Sequence, residues 1–145
     1  PYLIEVFSHI LETNEAKNIA LVGFGNLGKA LANNNFRRNE NLSIVAVFDN
    51  DPQLIGKTID GHYVYGMDQL AEIVQEKGIT VAISTVPSQY SQAAIDTIVE
   101  SGITAILNFA PDRVNVPKNV HIQYIDLTTE LQTLIFFDNT YSQKS

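Results

Sequence analysis

Residues 18–32, NIALVGFGNLGKALA, and residues 43–51, SIVAVFDND, are the two stretches on whose reading the fold turns. In the first, an apolar run over residues 18–22 leads straight into three glycines spaced G-x-G-x-x-G: Gly23, Gly25 and Gly28. Helical spacing follows over residues 26–33. In such a turn the first glycine permits the tight bend and the second lets the backbone approach a pyrophosphate. The third lets helix and strand pack closely, while the helix start, here Asn26 and Leu27, supplies N–H donors and a positive dipole end. The second stretch ends its strand on Asp49, about twenty residues beyond Gly28, where a carboxylate accepts the ribose hydroxyls of an adenosine. That carboxylate repels a 2′-phosphate, and no Arg or Lys follows before Lys57, so the pattern favours NAD(H) over NADP(H). Asp51 reads as a turn residue ahead of Pro52.

Working outward, β-rich runs fall at residues 18–22, 43–48, 80–84, 104–107 and 121–125, with a weak one at 62–64. Helical patterns occupy residues 26–33, 67–76 and 88–100. Most of the runs are apolar throughout, as expected for strands buried on both faces of a parallel sheet. The predicted fold class is therefore α/β, a doubly wound, mostly parallel sheet of Rossmann type. Residues 52–61 are too short and too polar for a crossover helix. Pro87 is expected just inside the start of a helix, where its missing N–H costs nothing.

The chain has 145 residues, 45% hydrophobic and 17% charged, enough for one domain with a real core. There are no cysteines, which excludes disulfides and thiolate chemistry, and no metal site is expected. No apolar run is long enough to span a bilayer, so no membrane association and a cytoplasmic location are expected. The net charge of −7 argues against nucleic-acid binding by this chain alone; the Arg37-Arg38 pair reads as a solvated corner. Residues 1–17 are expected to form a leading helix and linker, residues 18–126 the nucleotide-binding domain, and residues 127–145 a terminal helix and tail. The leading helix begins without a cap. That points to a preceding segment, with removal of an initiator methionine as the competing explanation.

Ligands of such sheets lie beyond the carboxyl ends of the strands. The groups expected there are Thr85, Val86 and Pro87 after the fourth main strand, Asn108 and Phe109 after the fifth, and Asp126 after the sixth. They suit holding a nicotinamide riboside but do not supply proton transfer. His62 and His121 start strands and so belong to the opposite edge, while His9 lies on the leading helix. Catalysis is disfavoured. The apolar stripe Leu127, Leu131, Leu134 and Ile135, widened by Phe136 and Phe137, suggests docking against a second subunit, for which a symmetric homodimer is the natural closure. A cofactor-binding fragment of an NAD-dependent dehydrogenase and a coenzyme A-binding Rossmann domain are the alternatives. Asp49 opposes the latter, because coenzyme A carries a 3′-phosphate on that ribose.

With these residues in view, the chain resembles the nicotinamide-binding domain of the Rex family of redox-sensing transcriptional repressors. The likeness rests on residues 23–32 (GFGNLGKALA), 47–51 (VFDND), 85–89 (TVPSQ), 102–111 (GITAILNFAP) and 124–134 (YIDLTTELQTL). The resemblance implies a homodimer that senses NADH/NAD⁺ as a regulatory ligand, with a C-terminal helix exchanged between subunits over residues 127–137. It further implies that NADH binding closes the dimer and releases DNA. It places Gly23, Gly25 and Gly28 on the pyrophosphate, Asp49 on the adenosine ribose, and residues 85–87 with Asn108 and Phe109 near the nicotinamide. Operator DNA is then expected as a partner only of a longer form carrying a winged helix. The family often has a tyrosine near the nicotinamide that pairs with an aspartate after the last strand. Asp126 matches that aspartate, but the tyrosine's place is taken by Asn34, which can hydrogen-bond yet lacks the ring and the reach.

Overall fold

The computed structural model describes residues 17–34, 42–109 and 113–125. The expectations for the leading helix, Arg37-Arg38, Asp126 and the terminal helix lie outside those residues. Strand β1 (Lys17–Val22) is followed by helix α1 (Asn26–Asn34) and strand β2 (Leu42–Asp49). After the short β3 (Thr58–Ile59) and β4 (His62–Gly66), a 3₁₀ turn over Met67–Gln69 runs into α2 (Leu70–Lys77). Then come β5 (Val81–Ser84), α3 (Ser88–Glu100), β6 (Ala105–Asn108) and β7 (His121–Tyr124).

These strands form one sheet in the order β3-β4-β2-β1-β5-β6-β7. Every neighbouring pair is parallel except β3 with β4. The chain winds outward from β1 through β2 to β4, then returns across the sheet to β5 on the other side of β1. The strand order therefore reverses between β1 and β5, and a crevice opens there at the carboxyl edge.

Helices cover both faces, which is what all-apolar central strands require. On one face α1 brings Leu31 and Ala32 against Ile19, Leu21, Val47 and Ile83. On the other, Leu70, Ile73 and Val74 of α2 and Ile95 and Ile98 of α3 pack on Ala20, Val22, Phe48 and Ala82. All four residues of β5 are buried. Helix α2 stops at Gly78, which adopts the left-handed conformation (φ 62°) that ends helices cheaply.

Three details differ from the sequence reading. Residues 52–61 lack a helix as expected, but they contain β3, which pairs antiparallel with the expected strand β4 and is too short, at two residues, for any periodicity to reveal. The helix expected from residue 67 starts as a 3₁₀ turn, with the Gln69 side chain accepting the Gly66 N–H at 3.0 Å. Pro87 occupies the N-cap of α3 rather than its first turn, in an extended conformation (ψ 150°).

Ile83 lies in the middle of β5 with no exposed surface. Ile83→Ala should lower stability by about 2–5 kcal/mol, read from urea unfolding, because the site is walled on both faces and cannot collapse.

Candidate functional site

The crevice is shaped by the three glycines, and each answers to a different constraint. Gly23 has φ +97°, and a Cβ there would approach Thr85 Oγ1 to 2.7 Å. A Cβ on Gly28 would fall on the Gly23 carbonyl oxygen, so only glycine lets α1 start this close to β1. Around Gly25, by contrast, nothing lies within 4 Å of the place a Cβ would occupy. The protein's own packing demands glycine at positions 23 and 28. At 25 the bare backbone faces open space, which is the property a closely approaching ligand needs.

That space is a cavity of about 790 Å³. Its walls include the whole glycine turn, Asp49, Asn50 and Asp51 at the end of β2, and Thr85, Val86 and Pro87 after β5. Asn26, Leu27 and Gly28 lie in the first turn of α1, where N–H groups have no intrahelical partner. The first turn carries no acidic residue, so nothing on the helix itself neutralises the positive end of its dipole. An anionic diphosphate fits this donor set.

Asp49 is held before any ligand arrives. Its Oδ2 accepts the Phe24 N–H at 2.7 Å and its Oδ1 accepts the Asp51 N–H at 2.9 Å. A carboxylate offers about four lone-pair directions, so two remain for a pair of vicinal hydroxyls. The register brings Asp49 into place: Gly23 N–H donates to the Phe48 carbonyl at 2.8 Å, beyond an irregularity in the β1–β2 ladder between Ile19 and Ala20. Asp51 is a turn residue as expected. Its carboxylate accepts the Gln53 N–H at 2.9 Å, and its carbonyl accepts from Leu54 and Ile55.

Asn108 and Phe109 sit at the same edge of the sheet but are buried, 0% and 7% exposed, and are not part of the cavity wall. Asn108 pairs in register with Ser84, and its amide reaches Ser91 Oγ at 3.5 Å. Phe109 N–H donates to the Ser84 carbonyl at 2.9 Å, and its ring joins the core on the α1 face of the sheet. Asn34 ends α1, and its side chain, like Asp126, lies outside the described residues. His62 and His121 begin β4 and β7 and so occupy the edge opposite the cavity.

The sequence reading missed a second wall. Met67 follows β4, and Tyr90, Ala93, Ala94 and Thr97 present one stripe of α3 to the cavity. Their spacing of three and four residues was a usable signal, because it sets them on a different face from the buried Ser91, Ile95 and Ile98. Two alanines in that stripe leave a slot rather than a filled core. Among the described residues no helix is long and apolar enough to cross a membrane.

Comparison with known proteins agrees with this geometry. Residues 14–112 match the CoA binding domain family. The chain is 68% identical over 142 residues to redox-sensing transcriptional repressor Rex 2 of Enterococcus faecalis, covering 98% of this chain and 66% of that protein. It is 44% identical over 144 residues to the redox-sensing transcriptional repressor Rex of Listeria welshimeri, covering 99% and 67%. The chain thus spans about two thirds of the length of the curated relatives it matches. Among solved structures it is similar to RSP, a Rex-family repressor, in complex with β-NADH (TM-score 0.76, 27% identity, 98% of this chain and 69% of that one). The complex of RSP with β-NAD⁺ and operator DNA gives a TM-score of 0.75 at 28% identity, over 98% and 65%.

The glycine constraints separate cleanly by experiment. Gly28→Ala should unfold the turn and lower the melting temperature markedly, since a backbone oxygen cannot move aside. Gly25→Ala should stay within about 1 kcal/mol of the parent, the cost of a poorer helix cap, and show its effect in ligand binding instead.

Proposed function

The chain belongs to the Rex family of redox-sensing transcriptional repressors and, through residues 14–112, to the CoA binding domain family; on that premise we propose that it is the NAD(H)-sensing domain of such a repressor. In this reading the protein is a cytoplasmic homodimer, not an enzyme. A winged helix in a longer form binds operator DNA and lets it go when NADH/NAD⁺ rises. Residues 127–137 supply the helix exchanged between subunits.

The observation that carries the reading is that the bare face of Gly25 and the preset carboxylate of Asp49 line one cavity. The first is where a diphosphate would lie against backbone N–H groups, and the second is where the adenosine ribose would place its two hydroxyls. Asp49 also bears on ligand choice. A carboxylate at that position repels a phosphate on the 2′- or 3′-oxygen, which counts against NADP(H) and coenzyme A alike. We assign Val86 and Pro87, which line the cavity, to the nicotinamide side, and with them Asn108 and Phe109, which are buried at the same edge of the sheet. Asn34 and Asp126 are the residues we assign to redox sensing and to contact between subunits. When bound, the dinucleotide acts as a regulatory ligand, and no chemistry is asked of it.

The test is a titration of one sample with NADH, NAD⁺, NADPH and coenzyme A, followed by fluorescence or calorimetry. NADH should bind most tightly and without turnover. Equal affinity for NADH and NAD⁺ would remove the redox-sensing role while leaving a dinucleotide site. Asp49→Asn removes the charge at nearly constant shape but gives up one of the two backbone hydrogen bonds to the carboxylate, so the ratio of affinities is what is read: NADPH binding should improve relative to NADH by roughly tenfold, the equivalent of about 1.4 kcal/mol. An unchanged NADPH/NADH ratio would show that the Asp49 charge is not what excludes the 2′-phosphate.

A further inference from the structure

The Gly23 carbonyl oxygen is the most constrained atom in the turn. Thr85 Oγ1 donates to it at 2.8 Å, and the bare Cα of Gly28 lies against the same oxygen. Thr85 is itself fixed by the sheet: its N–H donates to the Val22 carbonyl at 2.9 Å, continuing the β1–β5 ladder in which Val22 pairs with Ser84. A threonine hydroxyl has one proton and can donate once. Of the two carbonyls within reach, Gly23 at 2.8 Å takes it in preference to Val22 at 3.3 Å. Thr85 lines the cavity, yet the single donor of its side chain is engaged by the turn rather than free for the nicotinamide.

We propose that Thr85 is a positioning residue, a latch from β5 that sets the Gly23 carbonyl and so the angle at which the Gly25–Gly28 backbone meets a diphosphate. The inference rests on reading the cavity as a dinucleotide site. It assigns Thr85 a contribution to affinity that is the same for both redox forms, because the diphosphate is common to NADH and NAD⁺. The latch also closes the turn from the side opposite Asp49. Strand β2 holds Phe24 N–H through the Asp49 carboxylate, and strand β5 holds the Gly23 carbonyl through the Thr85 hydroxyl. The two bonds grip the C=O and N–H of one planar peptide group, Gly23–Phe24, whose orientation is therefore set before ligand binds.

Two variants test this. Thr85→Val keeps the volume and removes the donor, whereas Thr85→Ser keeps the donor. In the ligand-free protein, hydrogen exchange of the bonded Phe24 and Lys29 amides, which flank the turn, should quicken by about tenfold in Thr85→Val and return close to the parent rate in Thr85→Ser. Affinities for NADH and NAD⁺ should both fall by about tenfold in Thr85→Val, leaving their ratio unchanged, and recover in Thr85→Ser. A change of more than about threefold in the NADH/NAD⁺ ratio would overturn the latch in favour of direct contact with the nicotinamide. Unaltered exchange in Thr85→Val would overturn it outright. If the parent protein binds neither dinucleotide, the functional reading fails, but the exchange measurement still decides whether the latch exists.

Discussion

A single carbonyl oxygen, that of Gly23, has to share its surroundings with the start of α1. Because Gly28 has no Cβ, the helix can begin almost on top of that oxygen, and because Gly23 takes φ +97° the chain can turn sharply enough to get there. Neither condition is optional for packing. Any side chain at 28 would push α1 away from β1 and take Leu31 and Ala32 with it, out of the core formed with Ile19 and Leu21. The diphosphate-binding geometry is thus inseparable from the packing of the first helix on the sheet. A turn shaped for ligand also satisfies the core.

The sheet reversal does the rest. Since β2 and β5 flank β1, whatever follows each of them converges on the turn. From β2 comes Asp49, accepting Phe24 N–H, and from β5 comes Thr85, donating to Gly23. One strand supplies an acceptor and the other a donor, matched to the two backbone groups at the bend. The side chains that select the ligand therefore also hold the backbone that cradles it, so substitutions at Asp49 act on both roles and need a charge-only replacement to be separated.

Most of this was legible in the sequence because it rests on local rules. Glycine spacing after an apolar run, and an acid at the next strand's end, identify the turn without tertiary information. The strand and helix order followed from periodicity, with ends displaced by a residue or two. What escaped was set by three-dimensional proximity. Strand β3 is too short for any period to register, and its pairing with β4 is fixed by Gly56 N–H donating to Val64 O and Val64 N–H donating to Lys57 O. The wall of Met67, Tyr90, Ala93 and Ala94 exists only because the segment after β4 and one stripe of α3, far apart in sequence, line the same cavity. Asn108 was placed at the correct edge, but that it is buried against Ser91 of α3 rather than lining the cavity depends on its register with Ser84. Periodicity gives a residue's face, and register decides its neighbours.

The division of labour across the cavity bears on how a redox signal could arise. A ligand shifts a conformational equilibrium only by its differential affinity for the two states, and two ligands are told apart only by contacts that differ between them. NADH and NAD⁺ share the adenosine, both riboses and the diphosphate; they differ at the nicotinamide ring, in its charge and its planarity. On the proposed reading, the glycine turn and Asp49 face the shared part. However tightly they bind, they set the concentration range in which the domain responds and the exclusion of extra phosphates, and contribute nothing to reading redox state. On the reading proposed above, discrimination falls to the groups assigned to the nicotinamide end: the turn beyond β5, Asn108 and Phe109, and Asn34 with Asp126. A cationic ring is favoured near carboxylates and disfavoured against apolar groups, so with the nicotinamide set against Val86 and Pro87, as proposed, the neutral, reduced form would be preferred. In a sensor of this construction affinity and discrimination occupy opposite ends of one cavity, and each can be tuned without disturbing the other.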